Sequence, residues 1–327
     1  LSLPLTDTLE FNAAGRFDHY SDFGSAFSPK AGLRWQLSEK LLLRASAGRG
    51  FRAPSLSENP ASPSISYGGE IDPHDPDQAN SRQTPTFFTL GNTNLAPERT
   101  HSYNLGAVFS PWDGGSLSLD WYRIELDNLI GTGNTSDLVR NNDPADVLRD
   151  SRGKLLAVYN RYQNLSELKT SGIDAELSQA WSTAVGDFRI SSAWTHVLEY
   201  RRPVGTGTTL VEFAGSNRGP SLPRNKGTTQ LGWSYADFDT RLIWQHVSGY
   251  DQLNAGTAQS RVDAYEQFDL YLGWKGIEGL TLYAKVENLL DEEPPYDASF
   301  PGVRAPYDFS QYDLRGRYFQ VGFDYRF

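Results

Sequence analysis

The end of the chain alternates strictly between apolar and polar side chains over residues 316–327. Successive side chains of a β-strand point to opposite faces, so this segment predicts a strand with one aromatic face and one polar face. A tilted strand of about 9–11 residues is long enough to cross a bilayer. The segment therefore predicts a bilayer-crossing strand of a β-barrel. Its aromatic face carries Phe319, Val321, Phe323, Tyr325 and Phe327.

The same period of two recurs inside the chain, and no charged side chain interrupts the apolar faces of five such segments. A Lys or Arg that faces lipid at mid-membrane costs roughly 2–4 kcal/mol, so these faces indicate contact with hydrocarbon. The apolar faces begin at Leu41, Tyr103, Ile173, Phe268 and Leu280. Strand charges are expected on the opposite, lumen-lining face, at Arg34, Arg44, Asp174, Glu176, Arg189, Arg241, Asp269, Lys285, Glu287 and Asp324.

The alternation predicts an all-β fold, an antiparallel transmembrane β-barrel whose strands are joined alternately by short turns and long loops. In residues 116–128 the apolar phase shifts from Leu117, Leu119 and Trp121 to Tyr122, Ile124 and Leu126. A β-bulge explains this shift, as does emergence of the strand into water. Twelve strands are predicted near residues 8–20, 28–37, 41–51, 100–110, 116–128, 169–181, 187–198, 225–235, 238–249, 264–275, 279–290 and 316–327.

Composition excludes several classes of protein. Hydrophobic residues make up 38% of the chain and no apolar run approaches eighteen residues, which excludes a helical membrane protein. The chain has no Cys, so disulfides, thiolate metal sites and thiol catalysis are excluded. A net charge of -10 argues against a nucleic-acid partner. The five His are scattered without metal-site spacing, and we expect neither a cofactor nor an enzymatic activity.

Three segments together resemble the TonB-dependent outer-membrane receptors. One ends in Gly-Phe-Arg-Ala-Pro-Ser, one contains Asn-x-x-Leu-x-Pro-Glu, and one contains Asn-Leu-x-Asp, in that order along the chain. The aromatic terminal residue completes the set. The residues that carry the resemblance are Phe51, Arg52, Ala53, Pro54, Ser55, Leu95, Pro97, Glu98, Asn288, Leu289, Asp291 and Phe327.

The resemblance implies that residues 1–327 are the C-terminal part of a 22-stranded, plugged barrel. The plug, the TonB box and the first strands are expected to be absent, which leaves an open arc or a partly closed barrel. The family takes up scarce nutrients of the siderophore-iron, cobalamin or carbohydrate class across the outer membrane of Gram-negative bacteria. The implied partners are outer-membrane lipid, the nutrient, the TonB complex through the missing N-terminal region, and the barrel assembly machinery through the C-terminal strand.

Local chemistry gives the motifs structural roles. Pro54 has no N–H for a strand ladder and restricts Ala53, so it predicts the end of a strand. Pro97 stands where a strand begins, before its first ladder hydrogen bond. For Arg52 we favour a structural ion pair over a place lining the extracellular mouth.

Two sets of loop residues are candidates for binding. Glu70, Asp72, Asp75 and Asp77 lie close together with His74 and form a possible calcium site, with a solvated acidic loop as the alternative. Aromatic and cationic loop residues suit a ring-bearing or anionic nutrient, although they can also simply pack the loops together. This second set is Tyr67, Phe87, Phe88, Tyr159, Arg161, Tyr162, Arg201, Arg202, Tyr296 and Tyr307.

Three other classes remain open at this point. A passive outer-membrane porin shares the barrel but gives no reason for the three receptor-like segments. A soluble all-β binding protein predicts polar residues on the exterior faces, against the uncharged faces described above. An outer-membrane enzyme rests only on the acidic residues beside His74.

Overall fold

The computed structural model describes residues 1–21, 24–59, 63–204, 209–218, 221–253, 259–299, 306–313 and 315–326. Phe327 lies outside these residues. The only helix among these residues is α1 (Thr135–Asn141), which has seven residues. It is not long and apolar enough to span a bilayer. The strands are β1 (Ser2–Pro4), β2 (Leu9–Tyr20), β3 (Gly24–Ser38), β4 (Leu41–Arg52), β5 (Ser64–Tyr67), β6 (Glu70–Asp72), β7 (Ser81–Gln83), β8 (Thr86–Leu90), β9 (Glu98–Phe109), β10 (Gly115–Asp127), β11 (Ile130–Thr132), β12 (Val147–Arg149), β13 (Leu155–Asn164), β14 (Glu167–Thr183), β15 (Gly186–Pro203), β16 (Leu210–Glu212), β17 (Asn225–Tyr235), β18 (Phe238–Val247), β19 (Tyr250–Asp251), β20 (Arg261–Val262), β21 (Tyr265–Ile277), β22 (Leu280–Glu287) and β23 (Tyr318–Tyr325).

One antiparallel sheet of 14 strands forms the body of the molecule, in the order β1-β2-β3-β4-β9-β10-β14-β15-β17-β18-β21-β22-β23, with β16 attached to β15. All twelve predicted strands are present in this sheet, and β1 and β16 are the two additions. Within the described residues β1 and β23 are the two ends of the sheet and do not pair with each other. Among the described residues the sheet is therefore not closed on itself.

The two faces of this sheet differ as the alternation predicts. Cross-strand register places Leu43, Ala107, Leu119, Ala175 and Trp194 in one row across β4, β9, β10, β14 and β15. We call the side that carries this row the outer face. On the opposite inner face, Arg44 donates from Nε to Asp120 at 2.8 Å and joins two strands by an ion pair. An apolar outer face and a charge-paired inner face match a barrel wall between lipid and lumen.

The bulge explanation for residues 116–128 is wrong. Strand β10 pairs with β14 from Gly115 to Asp127 and with β9 from Leu117 to Asp127, without a register shift. Beyond Trp121 the outer positions of β10 are simply charged. A strand that leaves hydrocarbon after Trp121 accounts for this pattern, because charged side chains are stable there in water. Register shifts in the main sheet occur elsewhere, at Gln36/Ser38, Ser171/Gly172 and Trp274/Ile277.

The described residues of the two connections 53–97 and 128–166 fold together into one unit, which we call the cap. Its sheet has the order β11-β13-β8-β5 with β12 attached to β13, and β8 runs parallel to β13. Helix α1 is capped by the side chain of Asn134, which accepts from the backbone N–H of Ser136 at 2.9 Å. A small apolar core joins α1 to this sheet. It contains Val139, Val147, Leu155 and Val158, with Phe87 and Leu138 packed against it.

Candidate ligand-binding cap

An arginine clasp fixes the base of the cap to the main sheet. Arg52 and Glu98 are cross-strand partners on β4 and β9, and the guanidinium donates to both carboxylate oxygens at 2.7 Å. Arg52 also donates to Glu58 at 2.8 Å, and Glu98 accepts from the backbone N–H of Ile130 at 2.8 Å. The ion-pairing hypothesis for Arg52 is confirmed, and the clasp joins both connections of the cap.

The neighbouring motif residues mark strand ends, as predicted. Strand β4 ends at Arg52, directly before Ala53 and Pro54, and the backbone N–H of Ser55 donates to Glu58 at 2.7 Å. Strand β9 begins at Glu98, directly after Pro97. Leu95 is buried just upstream. These residues shape the points where strands enter and leave the cap.

The Asn-Leu-x-Asp segment forms a turn at the end of β22. Asn288 and Asp291 both have left-handed backbone conformations, with φ values of 51° and 59°. The Asn288 amide donates to the carbonyl of Glu292 and accepts from its N–H, each at 2.9 Å. Asp291 accepts from the backbone N–H of Arg317 at 2.9 Å, and the N–H of Leu289 donates to Phe268 at 2.6 Å. The motif therefore anchors this connection at both of its ends.

Replacing Asn288 with Ala is expected to destabilise this turn by about 2 kcal/mol, because the substitution removes two hydrogen bonds and strains a left-handed residue. Asn288→Gly removes the same hydrogen bonds without the strain, so its loss should be smaller. Hydrogen exchange of residues 288–292 in detergent micelles measures both effects. Equal exchange in the Ala variant and the wild type would contradict the role of this turn.

The four carboxylates of the acidic loop do not converge on a common point. Asp72 is fully buried and accepts from Arg149 at 2.7 and 2.9 Å. Lys154 contacts Asp75 at 3.1 Å and Asp77 at 2.9 Å, while Glu70 accepts from Ser136 at 2.9 Å. In the described part of the chain no three acidic or His side chains gather as a metal site requires. These residues join the two connections of the cap instead.

Hydrogen bonding keeps two of these carboxylates charged. Burial acts to raise the pKa of Asp72. Hydrogen bonds from Arg149 and from the His74 backbone, together with the charge of Arg149, outweigh burial, so the pKa of Asp72 is lowered. Backbone N–H donors of Gln78 and Asp77, with Lys154, hold the pKa of Asp75 well below its usual range. Both groups are therefore anions at neutral pH and attract Arg149 and Lys154 across the cap.

Part of the predicted aromatic set shares one face of the cap sheet. Ile65, Phe88 and Tyr159 are direct neighbours across β5, β8 and β13, and the rings of Phe88 and Tyr159 stack at a centroid distance of 5.1 Å. Tyr67 lies two residues from Ile65 on the same face and is 81% exposed. Arg161 lies two residues from Tyr159 on that face and is exposed. We call these five residues the aromatic platform.

The family model described as the TonB-dependent receptor-like β-barrel matches residues 1–289. The chain belongs to this receptor family.

Three curated relatives are similar to this chain over most of its length. The iron-regulated outer membrane virulence protein of Vibrio cholerae is 24% identical over 89% of the chain and 40% of the relative. The probable TonB-dependent siderophore receptor PirA of Acinetobacter baumannii is 22% identical over 89% of the chain and 38% of the relative. The vitamin B12 transporter BtuB of V. cholerae is 21% identical over 90% of the chain and 38% of the relative. The chain thus spans about two fifths of their length.

Solved structures of such receptors share the fold. The siderophore receptor PirA of A. baumannii superposes with a TM-score of 0.70 at 17% identity, covering 100% of the chain and 44% of that structure. A second structure is the Q482A mutant of the ferric enterobactin receptor PfeA of Pseudomonas aeruginosa in complex with enterobactin. It superposes with a TM-score of 0.71 at 21% identity and covers 99% of the chain and 44% of that structure. All-β architecture and an antiparallel receptor-barrel wall are therefore established for this chain.

The rest of the predicted binding set is not part of the platform of this receptor chain. Phe87 packs on the cap core, and the carbonyl of Tyr162 accepts from Asn92 at 2.9 Å. Arg201 lies 3.5 Å from both Glu199 and Glu212, and Arg202 stacks over the Phe213 ring at 4.9 Å. Tyr296 and Tyr307, the last two members of the set, lie in the separate connection between β22 and β23.

A buried polar network that the sequence does not predict joins two other connections, the one between β18 and β21 and the one between β22 and β23. Asp297 is fully buried and accepts from the Tyr250 hydroxyl at 2.9 Å, from the Gln252 amide and from the N–H of Ser299 at 2.9 Å. Burial raises the pKa of Tyr250 well above its usual range, so its phenol stays a donor. No local pattern indicates this network, because its members come from segments far apart in sequence.

Proposed function

We propose that this chain is part of the barrel wall and the extracellular cap of an outer-membrane receptor that imports a scarce nutrient with energy from TonB. The observation that carries the proposal is an outer face whose central rows are apolar, together with a cap on the loop end of the same sheet. Contact with lipid requires such an outer face, and capture of a ligand from outside the cell requires the cap. The names of the relatives support a siderophore-iron or vitamin B12 ligand.

Single-cysteine labelling tests this placement, and the absence of native Cys removes background. With a membrane-impermeant maleimide on whole Gram-negative cells, Tyr67→Cys in the cap should react at once. Asp237→Cys, in the short turn between β17 and β18, should react only after the outer membrane is permeabilised. Val321→Cys on the outer face should react only after denaturation. Equal labelling of all three in intact cells would refute the placement.

For the ligand we propose an iron-siderophore complex that bears aromatic rings. The platform offers the stacked pair Phe88–Tyr159 and the exposed ring of Tyr67 as flat apolar surfaces. Arg161 adds a fixed positive charge that suits the anionic complex. Vitamin B12, the ligand named for the relative BtuB, is the competing ligand. Three further points stay predictions. They are the coupling to TonB, the recognition of residues 316–327 by the assembly machinery, and the assignment of 1–327 to the C-terminal part of the barrel.

Replacing Tyr67 with Ala is expected to weaken binding of ferric enterobactin about three- to tenfold, since one ring contact contributes about 0.5–1.5 kcal/mol. Tyr67 is exposed, so the cap should keep its fold. Tyr235→Ala removes a half-exposed ring at the turn end of β17 and serves as the control. Intrinsic fluorescence titration with ferric enterobactin, and with vitamin B12 in parallel, gives the affinities. Unchanged affinity for both ligands in Tyr67→Ala would refute a role of the platform in ligand binding. Steady ion conductance without TonB would instead favour a passive porin.

A further inference from the structure

An arginine that no sequence pattern indicates lies unpaired on the outward side of the cap. Arg82 is the middle residue of β7. Its neighbours Ser81 and Gln83 turn into the cap, where the Gln83 amide donates to the Ser81 hydroxyl at 2.7 Å and to a carboxylate oxygen of Asp75. Arg82 itself is exposed and has no ion pair or hydrogen bond with any described residue. Its positive charge is therefore available to a partner from outside.

A bare glycine makes room for the Arg82 side chain. If Gly69 carried a Cβ atom, that atom would lie 2.2 Å from Nε of Arg82 and 2.5 Å from Cζ, far closer than atoms can approach. The guanidinium group therefore occupies the space that a side chain at residue 69 would need. Gly69 is not among the glycines with positive φ angles, so conformational freedom does not explain the glycine there. The close packing of Arg82 does explain it.

The Arg82 guanidinium lies on the same side of the cap as the Tyr67 ring. Tyr67 and Ile71 are 81% and 47% exposed, and Arg82 is the direct cross-strand partner of Ile71. Gly68 points to the opposite side, because a Cβ atom there would lie 3.3 Å from the ring of Phe87, which packs on the cap core. Side chains along an extended chain alternate between its two sides, so the space above the next glycine faces outward.

Arg161 supplies a second unpaired charge at the other end of the aromatic platform. Like Arg82, it is exposed and has no ion pair or hydrogen bond with a described residue. Tyr67 lies opposite Thr86 of β8, whereas Arg161 lies opposite Leu90. These two rows are about 13 Å apart along the strand. Arg82 lies beyond Tyr67, on the side away from Arg161. The stacked rings of the platform therefore lie between two positive charges.

The carboxylates of the cap do not pair with these two arginines. Asp72 and Asp75 are bound by cations inside the cap, and Glu70 accepts a hydrogen bond there. Asp146 adjoins the platform, since its carbonyl accepts from the backbone N–H of Tyr159 at 2.7 Å. In the described part of the chain its carboxylate forms no ion pair with either arginine. Both guanidinium groups are thus left for a ligand.

We propose that Arg82 is a specificity-determining residue of the ligand site and that, together with Arg161, it selects an iron complex with negative charge on opposite sides. This inference rests on the siderophore function proposed above and narrows its substrate class. A ferric tris-catecholate is a trianion with a ring in each arm, so guanidinium groups can donate charge-assisted hydrogen bonds to it from both ends. A ferric tris-hydroxamate is neutral and offers neither the charge nor the aromatic rings.

The test measures binding of ferric enterobactin and of ferrichrome, a neutral tris-hydroxamate, to the chain purified in mild detergent, by quenching of intrinsic fluorescence. Arg82→Gln should weaken binding of ferric enterobactin about tenfold, since a charge-assisted hydrogen bond is lost. Gly69→Leu keeps the charge but displaces the guanidinium group, and it should weaken binding to a similar degree. Arg152→Gln is the matched control, because it removes an exposed cap arginine outside the platform. Its affinity should equal that of the wild type.

Salt provides a readout that a purely structural role would not change. Raising the salt concentration screens exposed charges, so it should weaken binding of ferric enterobactin to the wild type more than to Arg82→Gln. An equal salt dependence of the two proteins would contradict a direct contact between Arg82 and the anion.

Each outcome decides the proposal. Wild-type affinity for ferric enterobactin in Arg82→Gln would overturn the role of Arg82, and wild-type affinity in Gly69→Leu would overturn its positioning by the glycine. Equal affinity of the wild type for ferrichrome and ferric enterobactin would overturn selection by charge. Weak binding in Tyr67→Ala with normal binding in Arg82→Gln refutes only this inference. Failure of the wild type to bind either iron complex refutes the proposed siderophore function itself.

Discussion

Replacing Arg149 with Ala is expected to unfold the cap while leaving the main sheet intact. The change leaves the buried carboxylate of Asp72 without its cation, and removing one partner of a buried ion pair costs roughly 3–5 kcal/mol. Arg149 also donates to Asn142 at 2.8 Å and to the carbonyl of Gly153 at 2.9 Å, and both bonds are lost. The cap core is small, so a loss of this size exceeds what Val139, Val147 and their neighbours can compensate.

Hydrogen exchange of residues 63–97 and 128–166, compared with β22 and β23, measures this effect. Arg152→Ala is the matched control, because Arg152 is 82% exposed and reaches Asp150 only at 3.6 Å. An exposed pair of that kind contributes about 0–1 kcal/mol, so the control should exchange like the wild type. Normal protection of the cap in Arg149→Ala would show that the ion pair has no such role.

Acid should act on the same contacts. The folded-state pKa values of Asp72 and Asp75 lie below their ordinary values, so their contribution to stability is fully present above about pH 4, the ordinary carboxylate range. It is lost as the pH falls through the lowered folded-state values. The cap should therefore lose protection on acidification below about pH 4 before the main sheet does.

The barrel wall was predictable because its physical cause is local. A period of two across ten residues fixes which side chains meet lipid, and turn residues such as Ala236 and Asp237 fix where the strands reverse. The motif residues were predictable for a related reason. Pro54 and Pro97 determine strand ends through their own missing N–H groups, whichever neighbours they have.

The cap was not predictable, because its causes are long-range. Arg149 lies 77 residues from Asp72, and the parallel pairing of β8 with β13 joins two different connections. Composition alone made residues 70–77 look like a calcium loop, since the cations that neutralise them come from another segment. Similarly, Phe87 and Phe88 are adjacent in sequence, but only the register of a strand decides that one packs on the core and the other joins the platform.

Replacing Leu119 with Arg is expected to prevent stable assembly into the outer membrane. Leu119 is 52% exposed on the outer face and lies in the row Leu43–Ala107–Leu119–Ala175, whose members carry no charge. An arginine at the midplane of the bilayer costs about 2–4 kcal/mol.

The neighbouring position supplies the control for this experiment. Ser118→Arg places the same side chain one residue away on the inner face, where Glu176 is its direct cross-strand partner. Because one residue along a strand reverses the face, the two variants place the charge in different media, and Ser118→Arg also offers it a carboxylate partner. Folding yield in outer-membrane fractions, and urea unfolding in lipid vesicles, should therefore fall steeply for Leu119→Arg and little for Ser118→Arg. If Ser118→Arg were instead the more damaging change, water and not hydrocarbon would contact the outer face.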